Sequence, residues 1–272
     1  MAAEAGIEIT FFTASKRDPL MLADAFISMS SLVENDNLEW VADISTMTHE
    51  MVLMLVAATD ELIYTWQKIT FIYNLAEKYS ADEKDADKWI SRGIQGLRSV
   101  VGYSGQWSPG EPAVLIALPG FDLERVSRII EDIEPEKIMV GAATPSRPEH
   151  AWMYTRNKAI AGKLLETRHG SIFDYPALIP TGAIDAILEA TSDVSCNVLI
   201  APLNSKISTM AVGVLARLNP AWQVCYAPAL IYNLSYSTPS SIFLTCTYSE
   251  AYNHAVAAMT IRNGVPSAGS VS

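Results

Sequence analysis

The sequence predicts an α/β fold: a mainly parallel sheet with helices on both faces, and room for two related α/β halves. Three observations carry that expectation. From residue 113 onward, short apolar runs alternate with segments whose apolar residues recur at helical spacing, the pattern of crossover units in a parallel sheet. The runs are apolar almost without a break, as strands covered on both faces are. Half of the 272 residues are apolar and 18% are charged, so there is material for a large core and global disorder is excluded.

The second half of the chain has the cleaner rhythm. Residues 113–118 form a strand and Pro119-Gly120-Phe121-Asp122 a turn. Leu123, Val126, Ile129, Ile130 and Ile133 then make one face of a helix that stops before Pro135. Residues 137–142 are a strand, 144–148 a loop and 151–166 a helix. A short strand falls within 171–179, and Thr181 caps a helix with Ile184, Ile187 and Leu188 on one face. Strands follow at 197–201 and 223–227, with an edge strand at 242–248.

In the first half, residues 7–13 (IEITFFT) read as a strand and 20–32 as a helix, with a polar turn at 34–37. Residues 40–44 are a strand. The apolar run 51–58 is a helix buried on both faces, capped by Thr46 with Glu50 or by Ser45. Residues 69–75 are a strand and the charged stretch 80–88 a surface loop. The Gly-, Pro- and Ser-rich stretch SGQWSPGEP places a boundary, giving an N-terminal α/β half at 1–104 and a linker at 105–112. A second half follows at 113–250, then a C-terminal helix and tail at 251–272 whose end is disordered.

Composition excludes several functions. A net charge of -11 with no long basic run argues against a duplex DNA binder, while leaving room for a small anion held by a local positive site. Three cysteines far apart, Cys196, Cys225 and Cys246, and four scattered histidines offer no metal site; Cys196 and Cys225 read as buried thiols. The N-terminus lacks a secretory pattern, and no apolar run approaches the roughly 20 residues that span a bilayer, so no membrane contact and a cytoplasmic location are expected. G-x-G-x-x-G, G-x-x-x-x-G-K-[ST] and G-x-S-x-G are all missing, which disfavours a nicotinamide cofactor, a P-loop ATPase and a serine hydrolase elbow; no cofactor is expected.

Residues 197–218, NVLIAPLNSKISTMAVGVLARL, read as strand, polar loop and helix. Free N–H groups and the helix dipole favour an anion there. Lys206 adds a cation, and Asn204, Ser205, Ser208 and Thr209 add hydrogen-bonding groups. The plainer alternative is a Ser205 cap beside a solvated lysine. A shift of 159 residues lays 40–75 over 199–234, with Thr46 on Ser205 and Tyr73-Asn74-Leu75 on Tyr232-Asn233-Leu234. The polar turn holding Ser45, Thr46 and Thr48 is then a second candidate ligand loop. His49-Glu50 beside it is a candidate acid–base pair, although adjacent helical residues point apart and Glu50 also suits the helix dipole. Arg92 and Arg98 are candidate phosphate ligands, or else two solvated helix arginines; Arg92 joins the ligand set. Tyr226 and Tyr232 could stack on a base or simply pack.

Residues 113–227 resemble the CRISPR-associated Rossmann fold, the ligand-sensing domain of CRISPR and related defence effectors. The resemblance lies in VLIALPGFDLERVSRIIEDIEPEKIMVGAA and in NVLIAPLNSKISTMAVGVLA. Members commonly carry a D-x-[ST]-G-G-[ST]-K-like loop at the second place; here Ser205-Lys206 are kept and Pro202-Leu203-Asn204 replace the rest, while Asp43-Ile44-Ser45-Thr46 looks like the acidic start. The resemblance implies a Rossmann-like dimeric sensor of cyclic oligonucleotides or a related nucleotide, working in antiviral defence as a homodimer or a regulatory subunit with a partner protein. Two alternatives stand beside it: an enzyme cleaving such a nucleotide (a phosphodiesterase or glycosidase using His49 with Lys206 or Ser205), and a structural subunit of a larger assembly.

Overall fold

Runs such as AVLIAL and NVLIAP can satisfy their backbone and bury both faces only inside a sheet covered on each side. A computed structural model describes residues 10–15, 18–31, 39–61, 69–79 and 90–262. Its strands are β1 (Trp40–Asp43), β2 (Ile69–Tyr79), β3 (Ser91–Ile94), β4 (Arg98–Ser99), β5 (Ala113–Leu118), β6 (Lys137–Ala143), β7 (Gly170–Tyr175), β8 (Asn197–Pro202), β9 (Gln223–Tyr226), β10 (Ala229–Tyr232) and β11 (Ser237–Thr247). Its α-helices are α1 (Pro19–Ser31), α2 (His49–Glu61), α3 (Leu123–Ile133), α4 (Ala151–Leu165), α5 (Pro180–Ala190), α6 (Lys206–Leu218) and α7 (Tyr248–Arg262).

The main sheet has the order β4-β9-β8-β5-β6-β7. Strands β9 to β7 are mutually parallel, with Val114 opposite Val198 and Ile116 opposite Ile200, and β4 closes one edge antiparallel to β9. Right-handed crossovers put α3 and α4 on one face and α5 and α6 on the other. The packing of α3 on α4 and of α5 on α6 agrees. Asp122 caps α3 by accepting from Arg125 N at 3.2 Å, and Glu134 ends that helix in the left-handed conformation just before Pro135.

A second sheet has the order β1-β2-β11, with β1 parallel and β11 antiparallel to β2, and β3 pairs antiparallel with β10. Helix α2 lies against α6, where Gly213 allows close approach: a Cβ there would stand 3.0 Å from Val56 Cγ1. Asp60 ties the helices together, accepting from Arg217 Nε at 2.7 Å and Tyr248 Oη at 2.8 Å. One apolar cluster runs from Leu22 and Phe26 in α1 through α2 and the main sheet to Ala255 in α7.

Several expectations are corrected. Residues 10–13 form no strand; 7–9, 34–37, 80–88 and 264–272 lie outside the described residues. Thr48 caps α2, accepting from Met51 N at 3.1 Å, while Ser45 Oγ instead accepts from Asn74 N at 2.8 Å. Thr181 lies inside the first turn of α5, which Pro180 opens. Arg92 and Arg98 sit on β3 and β4 rather than on a helix: these strands are too short to show a period, and their partners β10 and β9 define them. The stretch 105–112 is crossed by three pairings, β2–β11, β3–β10 and β4–β9. Asn197 also anchors it, accepting from Ser108 N at 2.8 Å and donating to Ser108 O at 3.0 Å and Glu111 O at 2.9 Å.

The tie between α2 and the edge of the main sheet is ionic. Arg98 on β4 donates through Nε at 2.8 Å and Nη2 at 2.6 Å to the buried Glu50 carboxylate at the start of α2. Removing one partner of such a pair strands the other charge in the interior. R98A is expected to cost about 3 kcal/mol in urea unfolding. The double substitution R98A/E50A should recover most of that loss; equal stability of the two variants would show that Glu50 does not depend on Arg98.

Candidate anion-binding site

In the main sheet the chain leaves β5 toward β6 and β7, but leaves β8 the opposite way toward β9. The loops after β5 and β8 therefore diverge and open a crevice at the carboxyl edge, where open α/β sheets accept ligands. Gly120 takes φ +56°, and a Cβ on it would stand 3.0 Å from both Asn204 Cα and Leu203 O. That contact sets how closely the two loops approach at the bottom of the crevice.

A cavity of about 510 Å³ sits there. Its walls come from the loops after β1, β5, β6, β7 and β8, including Ser45–His49, Gly120–Asp122, Thr144–Ser146 and Asn204–Lys206. Strand β2 closes it with Tyr73 and Tyr79, the turn before β11 adds Tyr236, and β10 supplies Tyr232. Tyr79 meets Phe121 edge-on at 5.6 Å and stacks with Tyr236 at 6.4 Å between ring centroids, so one wall is aromatic. Both candidate turns thus reach one cavity.

The start of α6 is built by hydroxyls. Ser205 Oγ accepts from Ser208 N at 2.9 Å and donates to Ala177 O. It is a buried cap rather than a free nucleophile. Thr209 donates to Ser205 O at 2.9 Å and accepts from His49 Nδ1 at 2.7 Å. A hydroxyl has one proton to give, so His49 carries its own on Nδ1 and turns the Nε2 lone pair toward Lys206 Nζ, 3.4 Å away. Burial above all, then the Lys206 and Arg125 charges, lowers the His49 pKa well below its usual value and keeps it neutral. Glu50, the other half of the candidate pair, points away to Arg98.

Two cations face the cavity. Lys206 has no carboxylate partner among the described residues. Burial first, and Arg125 second, pulls its pKa from 10.5 to about 8. Arg125, 4% exposed, donates through Nε to Ala227 O at 2.7 Å, lies 3.4 Å from Asp122, and has its guanidinium carbon 4.9 Å from the Tyr226 ring centroid. Its Nη2 makes no hydrogen bond. Asp122 is already engaged by Ser91 at 2.6 Å and by Arg125. The wall therefore presents positive charge within a chain of net charge -11.

Of the residues singled out by sequence, Ser45, Thr46, Thr48, His49, Asn204, Ser205 and Lys206 line the cavity. Thr209 stands behind His49, buried. Arg92 is exposed on β3 and outside the lining, and Arg98 is committed to Glu50. Tyr226 and Tyr232 both reach the cavity, with hydroxyls 3.1 Å apart. Sequence reasoning missed Arg125 and Asn157, another buried lining residue, whose Oδ1 has no partner. The only local signal for Arg125 was its place three residues after the capping Asp122. Among the described residues no three His, Cys, Asp or Glu side chains gather as metal ligands, and no helix is long and apolar enough to cross a membrane. In comparisons with protein-family models and with curated proteins, nothing matches the chain.

The shifted lysine predicts a pH dependence. Its folded pKa lies below its unfolded value, so between about pH 8 and 10.5 the unfolded chain holds more protons and stability rises with pH. K206M removes the buried charge. It should melt at a higher temperature than wild type at pH 7, with the gain gone by about pH 10.5. A gain that stays constant with pH would mean Lys206 is fully hydrated.

Proposed function

We propose that this chain binds a nucleotide-like anion at the carboxyl edge of the main sheet and acts as a sensor or regulatory subunit, working in antiviral defence as a homodimer or with a partner protein. The observation that carries the reading is that Lys206, which lacks a carboxylate partner among the described residues, and the buried Arg125 line one cavity. Charge-assisted bonds from these groups suit a phosphate. The α6 start adds N–H groups and a favourable dipole. The aromatic wall of Tyr79, Phe121 and Tyr236 gives a planar base a face to stack on. The volume of about 510 Å³ is in the range of small-molecule sites. Ser205, fully engaged as a cap, makes the serine-based cleavage alternative the weaker one.

Calorimetric titration with mono- and cyclic nucleotides, followed by chromatography of the mixtures, tests the reading. Hydrogen bonds to charged groups contribute about 1.5–3 kcal/mol, so K206A should weaken binding by roughly ten- to a hundred-fold. Raising salt should weaken the wild type more than the variant. Retention without product supports a sensor; product formation would turn the proposal into an enzyme. Equal affinities of wild type and K206A for a nucleotide that binds would reject Lys206 as a contact.

A further inference from the structure

The amine of Lys206 stands in a setting that a phosphate-binding lysine does not need. It faces a base: His49 Nε2, 3.4 Å away, with the imidazole proton locked on Nδ1 by Thr209. No carboxylate among the described residues pairs with it, and Arg125 stands close enough to repel its proton. A desolvated lysine beside another cation is the usual setting of an amine that attacks carbonyls. The anion anchor is separate from the amine, because the cavity-lining guanidinium belongs to Arg125 on α3, across the sheet edge from α6.

We propose that Lys206 forms a reversible imine with an anionic aldehyde or ketone whose anion rests beside the Arg125 guanidinium and the start of α6. The neutral amine adds to the carbonyl carbon, forming the C–N bond while the carbonyl electron pair moves to oxygen. His49 Nε2 takes a proton from the new ammonium and delivers it to that oxygen. The remaining N–H proton follows the same route through His49 to the hydroxyl, the nitrogen lone pair forms the C=N bond as the C–O bond breaks, one water leaves, and the imine remains; nothing is oxidised or reduced. The Phe121, Tyr79 and Tyr236 wall favours a carbonyl carried on a planar ring. This chemistry uses the anion subsite of the proposed function but needs no nucleotide. Burial supports it: with a pKa of about 8, about half of Lys206 is free amine at pH 8, against roughly one in three hundred for an ordinary lysine.

The probe is pyridoxal 5′-phosphate, which joins an aldehyde, an aromatic ring and a phosphate. The full chain is incubated with it at pH 8, the imine is fixed with borohydride, and peptides are mapped by mass spectrometry. The adduct should concentrate on Lys206, at least about ten-fold above any other lysine, given the difference in free amine. Pyridoxal without its phosphate should lose that preference, and excess inorganic phosphate should suppress it. H49Q should slow adduct formation without moving it to another residue. K206R, which keeps the charge, should abolish the dominant adduct. Labelling spread evenly over surface lysines, or a dominant adduct that survives K206R, overturns the proposal. Lys206-dependent nucleotide binding with no adduct at Lys206 would remove the imine chemistry and leave the sensor reading intact; an adduct with no nucleotide binding would do the reverse.

Discussion

Everything at the site depends on β5 and β8 lying side by side, parallel, from Ala113 opposite Asn197 to Leu118 opposite Pro202. Their backbones are fully paired and their side chains almost wholly buried. The chain departs from them in opposite directions, so the two following loops must part. Gly120 against Asn204 sets how narrow the gap is at its base. The six-residue pairing is a rigid support, and the polar groups of both loops inherit that rigidity.

Charge is kept inside this crevice by arrangement rather than by neutralisation. Arg125 is satisfied on Nε by Ala227 O, lies near Asp122 and over the Tyr226 ring, yet one nitrogen is left free. Lys206 leans on a neutral imidazole, which returns little of the lost hydration. Its lowered pKa is the measure of that strain. A protein that carried these groups only for stability would gain by an apolar replacement. They stand at a topological switch point, beside an aromatic wall.

The early strands complete the cavity instead of forming an independent half. Strand β2 brings Tyr73 and Tyr79, β11 follows Tyr236, and α2 delivers His49 to Thr209 on α6. The ionic tie from Arg98 to Glu50 and the hydrogen bond from Tyr103 Oη to Leu53 O hold α2 in place while leaving its first residue turned to the cavity. Both loops that the 159-residue shift superimposes, after β1 and after β8, reach the same space.

Sequence by itself determined the parallel core and its edge. Four apolar runs separated by amphipathic segments admit few other solutions, because strands buried on both faces need helices on both sides. It also determined that the turns at 45–48 and 204–206 follow strands, since strand, polar turn and helix are local patterns. Tertiary structure alone decided which charges face the cavity. Arg125 and Arg98 look alike in sequence, yet one borders the crevice and the other is bound to Glu50, a residue 48 positions away. Strands of two or four residues such as β4 and β3 carry no period and exist only through partners far along the chain. The bond from Ser205 Oγ to Ala177 O, the tautomer of His49 and the discomfort of Lys206 follow from contacts that close over 28, 160 and 157 positions. Local sequence encodes backbone preference, whereas desolvation and charge compensation are properties of the folded surroundings.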